Sequence, residues 1–472
     1  MKRTKNIFYN ILKTTFTIVC FFTISTNADQ QTHRKPNLVI ILADDLGYGD
    51  LGCFGQNKIK TPNLDRLAKK GMKLTQFYSG STVCAPSRCV LMTGLHTGHA
   101  YIRGNGRHNL RPSDFTLAEL FKQHGYSTGC FGKWGLGNEG TDGTPTNQGF
   151  DSFYGYLHQG HAHNYYPTFL IKNNRRVKLR NIPAQEFKTG AGWASKRIDY
   201  SHDLIVENAL HWIDMNHKKQ FFLYLPFTIP HANNEGYRGT KDGQEVPSYG
   251  IYKNKKWTKQ NKGQAAMITR MDSDVGRIVT RLNKHNIINN TLIIFTSDNG
   301  HHREGGNNPD FFNANGPLRG MKRDLYEGGI RVPTIAYWPN HIKPGSSSGQ
   351  PFYFGDFMAT SAELIQTTPP TGLDSISFLQ TLLGKPNPIE RDFIYWEFLE
   401  RKGAQALVLG KTGRWKAIRK GSAEASIEIY DLKNDVGETI NVANEHPKLV
   451  SKAENLFKTE HTPNPLWKKP FN

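Results

Sequence analysis

The stretch NLVIILADD, residues 37 to 45, decides the fold class. Its first seven residues form a continuous apolar run of strand length, and two aspartates follow. A run without polar alternation is typical of a parallel strand that is buried on both faces of a sheet. The stretch TLIIFTS at residues 291 to 297 repeats this pattern and is followed by Asp298 and Asn299. We therefore expect both runs to be inner strands of a parallel sheet.

Helical and strand patterns alternate between these runs, which predicts an α/β fold. The expected helices are 63–71, 203–216, 264–286 and 356–365, and further strands are expected at 126–131 and 221–227. After about Pro388 short strand patterns follow at 393–398, 404–409, 415–419 and 427–432, with a helix at 447–458. We predict a large, mostly parallel sheet flanked by helices (29–385) and a small C-terminal α+β domain with an antiparallel sheet (386–472). The segments 175–197 and 233–261 are polar and are expected to be long irregular loops.

Residues 1–28 resemble a secretory signal peptide. Four basic residues flank an apolar stretch, and small residues at Thr26 and Ala28 fit a cleavage site. The sequence therefore predicts a secreted or periplasmic protein. An uncleaved anchor is the alternative, although threonines interrupt the run and it is short for a membrane span. No other run is long enough to cross a bilayer, so we expect no stable membrane span after cleavage.

The chain is strongly basic, with 472 residues and a formal charge of +20. An exported protein of this charge is attracted to polyanions. No basic run interleaved with aromatic residues and no known nucleic-acid module is present, so we expect no nucleic-acid partner. A sulfated polysaccharide fits the export signal better. Nothing in the sequence indicates the oligomeric state.

A pair of polar residues follows each of the two apolar runs. Because ligands bind beyond the carboxyl ends of parallel strands, Asp44 and Asp45 could share one crevice with Asp298 and Asn299. Carboxylate and amide oxygens suit calcium, or magnesium, better than zinc. Either pair alone would more often be capping or turn residues. Asp50 belongs to the same stretch and is not counted as a ligand.

Cys84 stands in the stretch CAPSRCVLMTG, residues 84 to 94. Pro86 fits a first helical turn and Gly94 a helix stop, which places Cys84 at the positive end of a short helix. Arg88, four residues on, would lie on the same face. Cys84 could instead be a structural thiol or half of a disulfide. We make no disulfide prediction, because oxidation of Cys84 would leave three cysteines in the mature chain.

This stretch resembles the signature at which type I sulfatases oxidise a cysteine to formylglycine. The frames around Asp44, Asp298 and three further motifs also resemble that family, over nearly all of the mature chain. The resemblance implies an alkaline-phosphatase-like sulfatase fold, a bound calcium with Cys84 among its ligands, and a formylglycine-generating maturase as partner. One hydroxyl of the hydrated aldehyde would attack the sulfur of a sulfate ester, and the other would expel the sulfate.

The further motifs supply basic residues. Lys133 stands in GKWGLG and Lys322 in LRGMKRDLYEGG, and by resemblance both lysines contact the sulfate. With Arg88 they would give a metal-loaded site a net positive charge, which stabilises an anionic ester. Unplaced lysines are otherwise solvated surface charges. His231 resembles the catalytic histidine, which protonates the leaving alcohol or holds the bridging oxygen.

One position departs from the family. Many members carry a second histidine two residues after the first lysine, where this chain has Gly135. We predict that His163, in the loop LHQGHAHNYYP at residues 157 to 167, replaces it. That loop would line a sugar pocket, and His161, His302 and Asp324 are predicted as further substrate contacts, with His301 and Glu304 at the rim.

The sequence thus predicts an exported carbohydrate sulfatase. The pattern looks most like exo-acting bacterial enzymes, with a preference for sulfate on galactose or N-acetylgalactosamine, at O4. Two alternatives stay open. Phosphonate and phosphodiester hydrolases share the fold and some use the same aldehyde, and the chain could also be a non-catalytic binder of sulfated glycans.

Overall fold

The strand Asn37–Ala43 lies in the middle of a ten-stranded sheet, and all seven of its residues are buried. The computed structural model describes residues 34–388 and 390–467. The predicted signal peptide therefore lies outside the described residues. The described residues from Pro36 onward form one compact unit. The boundary predicted between residues 385 and 386 falls inside this unit and stays a prediction.

The strands of the described residues are β1 Asn37–Ala43, β2 Met72–Leu74, β3 Phe77–Tyr78, β4 Ser127–Lys133, β5 Ser152–Tyr156, β6 Phe169–Lys172, β7 Arg175–Lys178, β8 Ile182–Glu186, β9 Gly192–Lys196, β10 Phe221–Pro226, β11 Thr291–Ser297, β12 Thr334–Tyr337, β13 Ser346–Ser348, β14 Phe352–Tyr353, β15 Phe393–Phe398, β16 Ala404–Leu409, β17 Trp415–Lys420 and β18 Ile427–Asp431. Their helices are α1 Pro62–Lys70, α2 Cys84–Thr93, α3 Leu117–Gln123, α4 Gln159–Ala162, α5 Ser201–Asn216, α6 Asn234–Thr240, α7 Lys259–Lys284, α8 Pro309–Phe312, α9 Glu327–Ile330, α10 Asp356–Leu364, α11 Leu379–Leu382 and α12 Pro447–Thr459.

The large sheet has the strand order β13-β2-β12-β11-β1-β10-β4-β5-β6-β7. Its centre, from β11 through β1, β10 and β4 to β5, is parallel. Antiparallel pairs extend it on both sides, at β11 with β12 and at β5 with β6. The prediction of a large, mostly parallel sheet with helices is confirmed.

The apolar side chains of β1 pack into two hydrophobic cores, one on each face of the sheet. Leu38, Ile40 and Leu42 pack on one face of the sheet, whereas Val39 and Ile41 pack on the other. Because successive side chains point to opposite faces, a strand covered on both sides needs apolar side chains at nearly every position. This explains why β1 reads as a continuous apolar run. The polar Asn37 at the start of β1 is buried with its side-chain amide donating to Thr291 Oγ1 at 3.1 Å.

The C-terminal strands β15 to β18 form a separate four-stranded antiparallel sheet. One face of this sheet packs against α12 through Tyr395, Ile429, Ala453 and Phe457. The small antiparallel α+β region expected at the end of the chain is therefore present.

The two polar segments are more regular than expected. Residues 175–197, expected to be irregular, contain β7, β8 and β9. Strand β7 lies at the edge of the large sheet and exposes most of its residues, so it has no apolar alternation to reveal it. The segment 233–261 contains α6 and the start of α7, which begins before the expected residue 264 because the Thr258 side chain accepts a hydrogen bond from the Asn261 amide.

Cys53, Cys84, Cys89 and Cys130 are all free thiols. Among the helices of residues 34–388 and 390–467, none is long and apolar enough to cross a membrane.

Candidate active site

Helix α2 begins at Cys84, as the sequence predicted, and ends before Gly94, which adopts the left-handed conformation with φ 72°. The amide of Ala85 in the first turn donates to the Asn105 side-chain oxygen at 3.1 Å. The Cys84 thiol is buried and donates to Asp44 Oδ1 at 3.4 Å. Burial, together with the Asp44 carboxylate, raises the pKa of Cys84 above its ordinary range. At neutral pH the thiol is therefore protonated.

Asp44 and Asp45 lie next to Asp298 and Asn299, because β1 and β11 are paired in register up to Ala43 and Ser297. The Asp45 amide donates to Asp298 Oδ1 at 3.1 Å. The Asn299 side-chain amide donates to Asp45 Oδ1 at 2.6 Å. The sequence prediction that both pairs share one crevice agrees with this arrangement.

The donor set at this crevice fits a divalent cation. The side-chain oxygen of Asn299 is buried and has no hydrogen-bond partner in the described residues, so it is available as a ligand. Ligand atoms of Asp44, Asp45, Cys84 and His231 all lie within 4.8 Å of one another. With Asn299, three of these five donors are side-chain oxygens, the ligand type that calcium and magnesium prefer. His231 was not predicted to belong to it.

Three buried cations balance the carboxylates. Lys133 Nζ lies 2.7 Å from Asp44 Oδ2, and Lys322 Nζ lies 2.6 Å from Asp45 Oδ2. Arg88 binds Asp298 Oδ2 through Nη2 at 2.8 Å and Nε at 3.1 Å. Burial alone would raise the pKa of Asp44, but Lys133 and its neighbours hold that pKa well below the ordinary range. A divalent cation added to this balanced set would make the site positive toward an anionic ester.

His231 lies between Lys322 and Asp45. Its Nδ1 donates to the Ala232 carbonyl at 2.7 Å, which leaves Nε2 to accept from Lys322 Nζ at 3.0 Å. Burial, reinforced by the Lys322 charge, lowers the pKa of His231 well below its ordinary value. The imidazole is thus neutral, and the proton next to Nε2 belongs to Lys322.

The structure brings His163 to the same site. Its ring stacks on that of His231, and its Nδ1 lies 3.0 Å from Glu235 Oε2. Gly135 has φ +80°, and a Cβ there would lie 3.2 Å from the Gln159 side-chain nitrogen. A side chain at residue 135 would therefore be strained and would meet Gln159.

The other predicted contacts divide into two groups. Asp324 and His302 line a second cleft beside the first, together with Glu304. His161 instead is buried against Tyr156 and Phe169 and does not line either cleft. Its place in the apolar core reflects the short helix α4, which turns His161 inward while His163 points to the cleft.

His301 is also buried and does not line either cleft, although its carbonyl accepts from the Lys322 amide. Asp50 lies outside the metal-ligand group, where its Oδ2 accepts from the Gly47 amide at 2.8 Å.

The main cleft has a volume of about 380 Å³ and reaches Cys84. Its lining contains the predicted Cys84, His163, His231, Glu304 and Lys322. The residues that the sequence did not single out for the site are Asn105, Gly106, Arg107, Asn234 and Arg323. The basic, glycine-containing stretch RGNGR at residues 103 to 107 was a signal for this loop, whereas Glu235 had none.

The family model "Sulfatase" matches residues 36–367. The chain belongs to the sulfatase family, and it is a sulfuric ester hydrolase by that membership. A second family model, "N-sulphoglucosamine sulphohydrolase, C-terminal", matches residues 321–460. The first match includes Cys84, both lysines, His231 and the candidate metal ligands Asp44, Asp45, Asp298 and Asn299, so the site described above lies within the sulfatase match.

Similar proteins support the family and the fold. The N-acetylgalactosamine-6-O-sulfatase of Bacteroides thetaiotaomicron is 29% identical, over 92% of this chain and 94% of that protein. The solved structure of Ps i-CgsB in complex with k-i-k-neocarrahexaose superposes with a TM-score of 0.77 at 28% identity, over 93% of this chain and 95% of that chain. The phosphonate monoester hydrolase of Agrobacterium radiobacter shares the fold at 19% identity, with a TM-score of 0.63 over 90% of this chain and 96% of that one.

Proposed function

We propose that this sulfatase is exported and removes sulfate from a sulfated carbohydrate, using formylglycine formed from Cys84. The observation that carries the proposal is the position of Cys84 at the start of α2, within hydrogen-bond distance of Asp44 and on the floor of the main cleft. A formylglycine-generating maturase is then a required partner. Export rests on the signal predicted at residues 1–28.

The protonated state of the Cys84 thiol supports its conversion. A buried thiol whose pKa is raised beside a carboxylate is a poor nucleophile, because the thiolate is the reactive form. A hydrated aldehyde supplies two hydroxyl groups on one carbon, one to attack sulfur and one to release the sulfate.

Asp44, Asp45, Asp298 and Asn299 would hold the metal, with the converted Cys84 as a further ligand. We propose calcium, because the ligands are hard oxygens and their number exceeds what magnesium usually takes from protein. A bound divalent cation supplies positive charge that stabilises the anionic ester during its hydrolysis. Lys133 and Lys322, which pair with the same carboxylates, would orient the sulfate oxygens.

The hydrogen bonds of His231 refine its predicted role. Since Nδ1–H is held by the Ala232 carbonyl, Nε2 carries the lone pair and faces the Lys322 ammonium. We propose that Lys322 Nζ donates the proton to the departing alcohol oxygen, and that His231 Nε2, which accepts a hydrogen bond from Lys322, orients this ammonium for the transfer. His163, oriented by Glu235, would act as the base that replaces the histidine absent at Gly135.

The substrate class follows from charge and from the relatives. A strongly basic chain with a polar cleft fits an anionic saccharide. The Bacteroides relative is named for the 6-sulfate of N-acetylgalactosamine, which favours O6 over the O4 position that the sequence pattern suggested. We propose sulfated N-acetylgalactosamine or galactose, with O6 as the first position to test, and exo action as the expected mode.

Free-sulfate release from saccharides that differ only in the sulfated carbon tests this proposal. The enzyme is coexpressed with a maturase, and oligosaccharides with the sulfate at the terminal or an internal sugar distinguish exo from endo action. Release from the 6-sulfated sugar is expected. Release from the 4-sulfated sugar alone would overturn the O6 assignment.

Phosphate and phosphonate esters of the same alcohols are included in the panel. Faster turnover of these esters would overturn the sulfatase assignment in favour of the phosphonate hydrolase alternative. Binding of every sulfated saccharide without turnover, with the aldehyde verified by peptide mass, would favour the glycan-binding alternative.

A further inference from the structure

A second cleft of about 290 Å³ lies directly beside the catalytic one. The two clefts share Glu304, Lys322 and Arg323 in their walls. The remaining lining of the second cleft is His302, Arg303, Met321, Asp324 and Arg401. A sugar linked to the one that carries the reacting sulfate would therefore reach this second cleft.

Arg401 comes from the turn between β15 and β16 of the C-terminal sheet, far along the chain from the other lining residues. That turn is fixed to the active site. Glu400 Oε1 accepts from the Asn105 amide at 2.5 Å, and the Asn105 side chain accepts from Ala85 at the start of α2. Arg401 is thus placed relative to Cys84 by two consecutive hydrogen bonds.

Arg401 also has an unusual backbone conformation, with φ 60°. The left-handed region is unfavourable for a long side chain and is normally taken by glycine or asparagine. Strain of this kind concentrates at functional sites, which makes Arg401 a candidate for a role in binding.

Most of the basic side chains that line the second cleft are paired with carboxylates, but within the described part of the chain Arg401 is not. Arg323 pairs with Glu304 at 2.5 Å, and Arg303 pairs with Asp310 at 2.5 Å. Lys322 pairs with Asp45. In residues 34–388 and 390–467 no carboxylate forms an ion pair with Arg401, whose side chain is exposed at the cleft. The guanidinium of Arg401 is therefore available to an anion.

We propose that this second cleft binds an anionic substituent, a sulfate ester or a carboxylate, on the sugar next to the one that is desulfated. Arg401 is the main contact, because its planar guanidinium can bind either group through two hydrogen bonds. This inference rests on the proposed function. It makes the preferred substrate a polyanionic oligosaccharide rather than a singly sulfated sugar.

The test compares three disaccharides with the same reactive sulfate. One carries a second sulfate on the neighbouring sugar, one carries a carboxylate there, and one carries neither. For the wild-type enzyme the ratio of kcat/KM for a doubly anionic disaccharide over the singly anionic one should exceed one. Arg401→Ala should reduce this ratio by roughly tenfold or more, chiefly through KM, as expected for a lost charged hydrogen bond. Comparison of kcat/KM between the doubly sulfated disaccharide and the one with a carboxylate shows which anion is preferred.

Lys402→Ala is the matched control, because it removes a positive charge from the same turn without lining either cleft. Its ratio should equal that of the wild type. An unchanged ratio in Arg401→Ala, or an equal decrease in Lys402→Ala, would overturn the proposed subsite.

Affinity measured by calorimetry on Cys84→Ala protein separates this inference from the proposed function. If no disaccharide is turned over by the wild type, the proposed function fails. The subsite would still be supported by tighter binding of the doubly anionic disaccharides that Arg401→Ala abolishes, and equal binding of all three would overturn it.

Discussion

The imidazole rings of His163 and His231 stack with their centroids 4.5 Å apart and their planes inclined by 13°. They come from different elements, His163 from the residue that follows α4 and His231 from the loop after β10. This contact places a second histidine at the active site although residue 135 is glycine. We expect His163, which comes from a different element, to take the role of the histidine that the family resemblance places at residue 135.

Removal of His163 should slow the release of sulfate. We expect His163→Ala to lower kcat by roughly 10²-fold, the lower end for loss of a general base, with the sulfated enzyme accumulating in a single turnover. Quenched-flow detection of alcohol and sulfate separately would measure this. Glu235→Gln, which keeps His163 but weakens its orientation, should give a smaller loss. A kcat equal to that of the wild type in His163→Ala would rule out the proposed role.

Replacement of Cys84 by serine should separate the two halves of the reaction. A serine hydroxyl can attack sulfur but has no second hydroxyl to expel the sulfate. Expressed without a maturase, Cys84→Ser should release at most one alcohol per enzyme and no free sulfate. The mass of the intact protein should then increase by one SO3 unit, which is transferred to the serine oxygen. Continuous sulfate release by this variant would contradict the two-hydroxyl mechanism, and Cys53→Ser serves as the control for loss of an unrelated thiol.

Metal binding should depend on Asn299, whose side-chain oxygen has no other partner in the described residues. Asn299→Ala should contain less calcium per chain by elemental analysis, and its activity should need added calcium. Treatment of the wild type with a chelator should lower its melting temperature, and calcium should restore it. The exposed Asn57→Ala should bind metal as the wild type does. A calcium content that is the same in Asn299→Ala would contradict the assigned ligand set.

Acid should destabilise the fold through His161. Burial lowers the pKa of this imidazole from 6.5 to about 3. The unfolded chain therefore binds a proton at a higher pH than the native protein, and the stability held above pH 6.5 is lost as the pH falls toward 3. Between pH 7 and pH 5 the free energy of unfolding should decrease by roughly 2 kcal/mol through this group.

Urea unfolding at pH 7 and pH 5 would measure this effect. His161→Phe keeps an aromatic ring between Tyr156 and Phe169. Its free energy of unfolding should therefore decrease less between pH 7 and pH 5 than that of the wild type, by the part that His161 contributes. An equal loss of stability with pH in the variant and the wild type would contradict the prediction.

The central sheet and the position of the candidate metal ligands could be predicted because both follow from local sequence patterns. The apolar run at 37–43 and the aspartates after it reveal a buried strand and the site beyond its end without any knowledge of distant residues. The helix at Cys84 follows in the same way from Pro86 and Gly94. Each of these features is set by neighbouring residues in the sequence.

Other features depend on distant contacts. The edge strand β7 is defined by its pairing with β6 and not by an apolar pattern. The partner of His163, Glu235, lies 72 residues away and carries no recognisable motif. Arg401 lies in the cleft beside the active site, in a turn whose Glu400 accepts a hydrogen bond from the Asn105 amide. Spacing along the chain cannot reveal contacts of this kind.

Sulfate release from a 6-sulfated N-acetylgalactosamine saccharide, compared between the wild type and Cys84→Ala prepared in parallel with a maturase, tests the central claim most directly. We expect multiple turnovers by the wild type, whose Cys84 peptide has the mass of formylglycine, and no turnover by Cys84→Ala with an unchanged circular dichroism spectrum. Equal sulfate release by the two proteins would contradict catalysis through Cys84.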